Sequence, residues 1–147
     1  MAAKPNVHAF NQQTGGARAD RSGCHHEFVQ TAPGKVGAAA ARFTATCNAQ
    51  PAGWSMRGRN FSVPLDLTGC RAVRAWVHGD GRGEALKIQL YDGAGGYRDN
   101  YVGIDFQGWR HVTLTNCPIN TLRYDRVATL NFYSNGLPAS TTVTCLV

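Results

Sequence analysis

The sequence predicts an all-β chain folded as a two-sheet antiparallel sandwich. Two features predict it: short segments whose apolar residues recur at every second position, and clusters of Gly, Asp, Asn and Pro between those segments. Helical periodicity is absent from all of them. In "YRDNYVGIDFQGWRHVTL", residues 97 to 114, Val102, Ile104 and Phe106 fall on one side of an extended chain and Tyr101, Gly103 and Asp105 on the other. Gln107-Gly108 interrupts the run. Val112 and Leu114 then resume the apolar side, with His111 and Thr113 on the polar side, which reads as the second arm of a hairpin.

Taken in order, order is expected to begin near "HHEFVQ". In "GAAAARFTAT" the alanines favour helix, but Ala39, Ala41 and Phe43 alternate with Arg42 and Thr44 and favour a strand. "MRGRNFSVPLDL", "CRAVRAWVHG", "EALKIQLYDG", "YRDNYVGIDF", "WRHVTLT", "RVATLNFYS" and "TTVTCLV" follow, giving about eight strands. His78-Gly79-Asp80-Gly81, Asp92 to Gly96, and Asn135-Gly136-Leu137-Pro138 supply the tight connections. A length of 147 residues suits one domain. Residues 1–23, without periodicity, read as a loosely ordered leader, and 24–147 as a single module. The apolar last segment reads as a break in a longer polypeptide. There is no apolar run long enough to span a bilayer and no secretory signal in this chain.

Net charge is +6, and apart from Lys4, Lys35 and Lys87 every cation is arginine. Arginine forks onto carboxylates, sulfates and phosphates, so an anionic partner fits, although a GC-rich genome yields the same bias. Nucleic acid has no supporting motif. Cys24, Cys47, Cys70, Cys117 and Cys145 lie far apart without a C-x-x-C pair. They read either as one or two disulfides with a thiol left over, or as small buried hydrophobes. In "CHHE", residues 24 to 27, Cys24 and His26 share a strand face that excludes His25, and further metal ligands of suitable spacing are missing.

The series "FSVPLDLTGCRAVRAWVHGDGRGEALKIQLYDGAGGYRDNYVGIDFQGWRHVTL", followed by "LNFYSNGLPAS", resembles the jelly-roll carbohydrate-binding modules of the galactose-binding-like superfamily, which are appended to bacterial glycoside hydrolases and polysaccharide lyases. The likeness covers roughly residues 36 to 147. It rests on the "LDLTG" lead-in, the "WVHGDG" hairpin, the "LKIQLYD" strand and the "IDFQGWRHV" corner. The resemblance implies a non-catalytic module that keeps an attached catalytic domain near its polymer, outside the cell or at its surface. It also implies sugar held on a sheet face or by end loops, and a structural calcium at one edge. The calcium ligands would come from the first and last strands, where this sequence departs from the pattern.

Sugar recognition needs flat rings for the CH face of a pyranose and planar polar groups for its hydroxyls. If Val73, Ala75 and Val77 point inward, Arg74 and Trp76 point outward. The same phase argument puts Gln89 and Tyr91 outside opposite Ile88 and Leu90, Asn131 and Tyr133 outside opposite Leu130 and Phe132, and Tyr101 outside. The candidate ligand-binding residues are therefore Trp76, Tyr91, Tyr101, Tyr133, Gln89, Asn131 and Arg74. Arg98 is added beside the glycine-rich turn, either touching sugar or pairing with Asp99 to shape the loop. Trp109 is expected to plug the end of the core, and Trp54 is undecided. The arginine excess points to an acidic glycan. Two other readings remain: a spacer that packs on a catalytic domain, and an enzyme using Asp92, Asp99 and Asp105, or Tyr101 with His111. Neither catalytic set has diagnostic spacing.

Overall fold

The computed structural model describes residues 25–31, 34–46, 53–115, 117, 119–137 and 140–147, and the side chains of these except residues 25–30 and 53. The expected leader, Cys24 and Cys47 lie outside the described residues, and the side chains of His25, His26 and Glu27 are not described. Nine strands form among the described residues: β1 His25–Thr31, β2 Ala40–Thr46, β3 Gly53–Leu65, β4 Val73–Asp80, β5 Ala85–Tyr91, β6 Tyr97–Gly103, β7 Gln107–Leu114, β8 Val127–Leu137 and β9 Thr142–Leu146. A 3₁₀ turn, Tyr124–Arg126, precedes β8. One sheet has the order β1-β2-β9-β4-β7 and the other β3-β8-β5-β6, with all pairings antiparallel. The predicted two-sheet sandwich is the architecture observed.

Strand phase follows from alternation. Ala41, Phe43 and Ala45 of β2, Val143 and Cys145 of β9, and Val77 of β4 face inward from one sheet, against Leu86, Ile88, Val102, Leu130 and Phe132 of the other. Burying each large aliphatic or aromatic side chain contributes about 1.5–3 kcal/mol. Phe43, Val77 and Ile104 are completely enclosed.

Two connections differ from their sequence reading. Both "WVHGDG" and the stretch from Val102 to Val112 were expected to form hairpins, but each passes from one sheet to the other: β4 and β7 pair together in the five-stranded sheet, while β5 and β6 pair in the four-stranded one. Glycine and aspartate permit chain reversal whether the next strand pairs with the last or packs over it. Ile104 holds the second arch, its N–H donating to the Glu84 carbonyl at 2.8 Å and its carbonyl accepting from Gly83 at 3.0 Å. The arch crosses so close to β4 that a Cβ on Gly79 would lie 2.4 Å from the Phe106 carbonyl oxygen. A side chain there has no room.

β5 and β6 do form a hairpin. Gly93 and Gly95 adopt positive φ, which l-residues with side chains avoid, and Asp92 collects the loop. Its Oδ1 accepts from the Ala94 and Gly96 amides at 2.8 and 2.9 Å, and its Oδ2 from the Arg123 amide at 3.3 Å. The Ala94 amide first, then those of Gly96 and Arg123, hold the Asp92 carboxyl below the ordinary carboxylate range against the opposing effect of burial.

Candidate functional site

Cross-strand partners share a face, so the register of the four-stranded sheet lays out its outer surface row by row. One row runs Asn60, Thr129, Tyr91, Tyr97; the next Gly58, Asn131, Gln89, Asp99; the next Met56, Tyr133, Lys87, Tyr101. The middle row is polar over β8, β5 and β6, and rings stand in the rows on both sides. Four strands spaced 4.7–4.9 Å give this band a width of roughly 14 Å, the reach of a short oligosaccharide.

The middle row is joined by hydrogen bonds. Asn131 Nδ2 donates to Gln89 Oε1 at 2.9 Å, and Gln89 Nε2 donates to Asp99 Oδ1 at 2.8 Å. Tyr133 OH donates to Gln89 Oε1 at 3.3 Å, while Lys87 Nζ and Tyr101 OH each donate to Asp99 Oδ2 at 3.4 Å. Lys87 Nζ also sits 3.8 Å from the Tyr133 ring centroid. The Lys87 and Asp99 side chains are only 13% and 7% exposed, so their pairing is better shielded than a surface ion pair. Burial, and then the Asp99 charge, raise the pKa of the Tyr101 phenol, which keeps it a hydroxyl donor.

Gly58 gives the row its open end. A Cβ there would fall 2.0 Å from Asn131 Oδ1, so the asparagine lies across β3 only because that position has no side chain. Trp54, at a register irregularity in β3, places its ring 5.9 Å from Tyr133 and extends the aromatic flank. Amide, hydroxyl and ammonium groups held in a fixed line between rings can meet sugar hydroxyls and pyranose CH faces without first being ordered.

Of the eight sequence candidates, Tyr91, Tyr101, Tyr133, Gln89 and Asn131 share this face. The other three do not. Arg74 and Trp76 point outward from β4, in the five-stranded sheet. Arg98 faces inward at 4% exposure: its Nε donates to Asn100 Oδ1 at 3.1 Å, one terminal nitrogen to Tyr124 OH at 3.0 Å, and the other to the Leu114 and Thr115 carbonyls at 3.2 Å. It is a strut between sheets, away from this face and from Asp99, which faces the opposite way. Stepping by two from Val102 through Asn100 reaches Arg98, so its phase was readable.

Trp109 does not plug the core. Val112 and Leu114 pack inward, so Trp109 and His111 project outward, and the Trp109 ring meets His78 edge-on at 5.3 Å. Lys87, Asp99 and Tyr97, outside the sequence candidates, complete the tyrosine face; their parity matches that of Tyr101 and Gln89.

The carboxylates proposed for an enzyme are not brought together. Asp92 caps its loop, Asp99 joins Lys87, and Asp105 pairs with Arg110 at 3.4 Å. Tyr101 and His111 stand on different sheets. Among the described residues no group of three or more His, Cys, Asp or Glu side chains is placed to hold a metal ion, while the start of the chain and the β1 side chains, where the resemblance puts part of the calcium ligands, lie outside the described residues. Cys70, Cys117 and Cys145 are free thiols.

No protein-family model matches the chain, and no curated protein matches it significantly. Solved structures do. One from a study of promiscuous specificity among carbohydrate-binding modules of the β-sandwich superfamily aligns at TM-score 0.61 and 10% identity, over 94% of this chain and 55% of that one. The family 11 carbohydrate-binding module of Clostridium thermocellum, in complex with a β-1,3-1,4-mixed-linked tetrasaccharide, aligns at TM-score 0.55 and 12% identity over 92% of this chain and 82% of that one. The fold is the two-sheet β-sandwich that these modules have. An exo-β-agarase contains the same sandwich, at TM-score 0.56 and 8% identity, over 84% of this chain and 22% of the agarase. The chain thus spans about half of the first structure and about a fifth of the agarase.

Proposed function

We propose that this β-sandwich binds carbohydrate without catalysis, holding a short stretch of a neutral glycan across the outer face of the four-stranded sheet. The observation that carries this reading is the hydrogen-bonded row Asn131-Gln89-Asp99, flanked by Tyr133 and Tyr101 on one side and Tyr91 and Tyr97 on the other. Lys87 is the cation of the three rows and Asp99 neutralises it, while of the candidate arginines Arg74 stands on the other sheet and Arg98 faces inward. A neutral ligand matches that balance. The mixed-linked tetrasaccharide bound by the family 11 module is a ligand of similar reach. The occurrence of the same sandwich within a much longer agarase supports the further reading that the module keeps an attached polysaccharide-degrading enzyme at its substrate, outside the cell.

Native gels cast with neutral polysaccharides test the reading. Retardation is expected on at least one of them, insensitive to salt, with no reducing ends released. Tyr101→Ala, Tyr133→Ala and Gln89→Ala should each weaken binding by about 1–3 kcal/mol, roughly 5- to 150-fold. Absence of retardation across the panel, or retardation unaffected by all three substitutions, would overturn it.

A further inference from the structure

The outer surface of the five-stranded sheet carries a second set of rings that the tyrosine face does not explain. Three successive cross-strand pairs of β4 and β7 project there: Arg74 with Thr113, Trp76 with His111, and His78 with Trp109. Trp76 meets His111 edge-on at 5.2 Å, and Trp109 meets His78 in the same manner at 5.3 Å. The imidazoles therefore brace the indoles. Lys35 brings its ammonium 5.2 Å from the Trp76 ring centroid, and Arg74 is exposed at the next pair along. Asp80 is the acid of β4 and β7 on this face, and it is already engaged by the Thr144 amide at 2.6 Å and by Arg82. Among the described residues β7 is an edge strand, with no further strand paired beyond it. Two residues of strand separate adjacent pairs, about 7 Å, so the set extends over roughly 14 Å.

Indole faces suit the CH surface of a pyranose, and a guanidinium with an ammonium beside them suits a carboxylate or sulfate on the same ring. We infer that the β4-β7 face is a second binding site whose ligand is an anionic polysaccharide. The proposal extends the carbohydrate reading to a second surface but shares no residue with the first. Charge complementarity favours this ligand over a packed protein domain, since the free groups beside the rings are cations.

Affinity gels containing polygalacturonate, a sulfated galactan or a neutral mixed-linkage glucan separate the possibilities, with melting curves confirming that each variant is folded. Retardation is expected on one or both anionic polymers, falling with salt; which of the two retards more identifies the recognised group as carboxylate or sulfate. Trp109→Ala and the exposed Arg74→Glu should each reduce it roughly tenfold or more, and Tyr101→Ala should leave it unchanged. No retardation on either anionic polymer, or retardation that survives both Trp109→Ala and Arg74→Glu as general attraction to a basic protein, would overturn the second site. So would its loss in Tyr101→Ala. The neutral-glucan lanes report on the tyrosine face separately, so that failure of one site is not mistaken for failure of the other.

Discussion

Glu84 is 2% exposed, and among the described residues neither of its carboxylate oxygens has a hydrogen-bond partner. It stands between β4 and β5 with the parity of Leu86, so it points into the end of the sandwich. Burial is the main cause that lifts its pKa from 4.5 to about 7; its own backbone amide opposes this, the Asp80 charge adds to it, and Arg82 opposes it. The folded state thus holds this proton more tightly than the unfolded chain does. Its contribution is fully present below the unfolded value and is lost as pH rises through about 7, amounting to at most about 3 kcal/mol. Asp92 and the exposed Asp66 have the opposite sense: their lowered carboxyls favour folding above the unfolded value and lose that contribution as pH falls through the folded one. Thermal melts should therefore show a midpoint that declines between pH 5 and pH 8.5, and Glu84→Gln should flatten that decline and raise the midpoint at pH 8.5. An unchanged pH profile in the variant would assign the decline to other groups.

At the level of strands, the tyrosine face depends on a residue with no side chain. Gly58→Ala would push Asn131 off β3 and break its bond to Gln89 while leaving every ring in place. Binding to a neutral glycan should weaken about 5- to 30-fold, on the order of 1–2 kcal/mol, with the fold retained, measured by calorimetry and thermal melting. This contact also marks where sequence reading stops. Alternation gives the phase of β4, β5 and β8 from aliphatic residues alone, so the outward placement of Trp76, Gln89, Tyr91, Asn131 and Tyr133 is legible. It says nothing about which sheet a strand joins, because backbone pairing is chosen over long range; Trp76 and Tyr133 therefore look like neighbours in sequence phase and stand on different sheets. Arg98 and Trp109 fail for another reason. Polarity argued against an inward arginine and bulk against an outward tryptophan, yet in both cases the alternation of the strand prevailed.

The molecule as a whole presents two differently equipped surfaces: amides and phenols around a neutralised lysine on one sheet, indoles and imidazoles beside free cations on the other. What joins them is a sheet assembled from both ends of the described chain. β9 lies between β2 and β4, so Phe43 pairs with Cys145, and Thr44 bonds Thr144 a hundred residues later at 3.2 Å. A chain stopped at Ser140 would lack β9 and leave β2 and β4 without the strand between them; it should show no cooperative melting transition in circular dichroism, and a sharp transition would mean that the four-stranded sheet and β4-β7 fold unaided. The intact domain should refold slowly, in the millisecond-to-second range of proteins ruled by distant pairings. During synthesis the gap between β2 and β4 cannot close until β9 has left the ribosome tunnel. Nascent copies therefore display two unmated strand borders until β9 emerges, and a holdase that masks such borders would decide how much of this protein escapes clumping with its siblings.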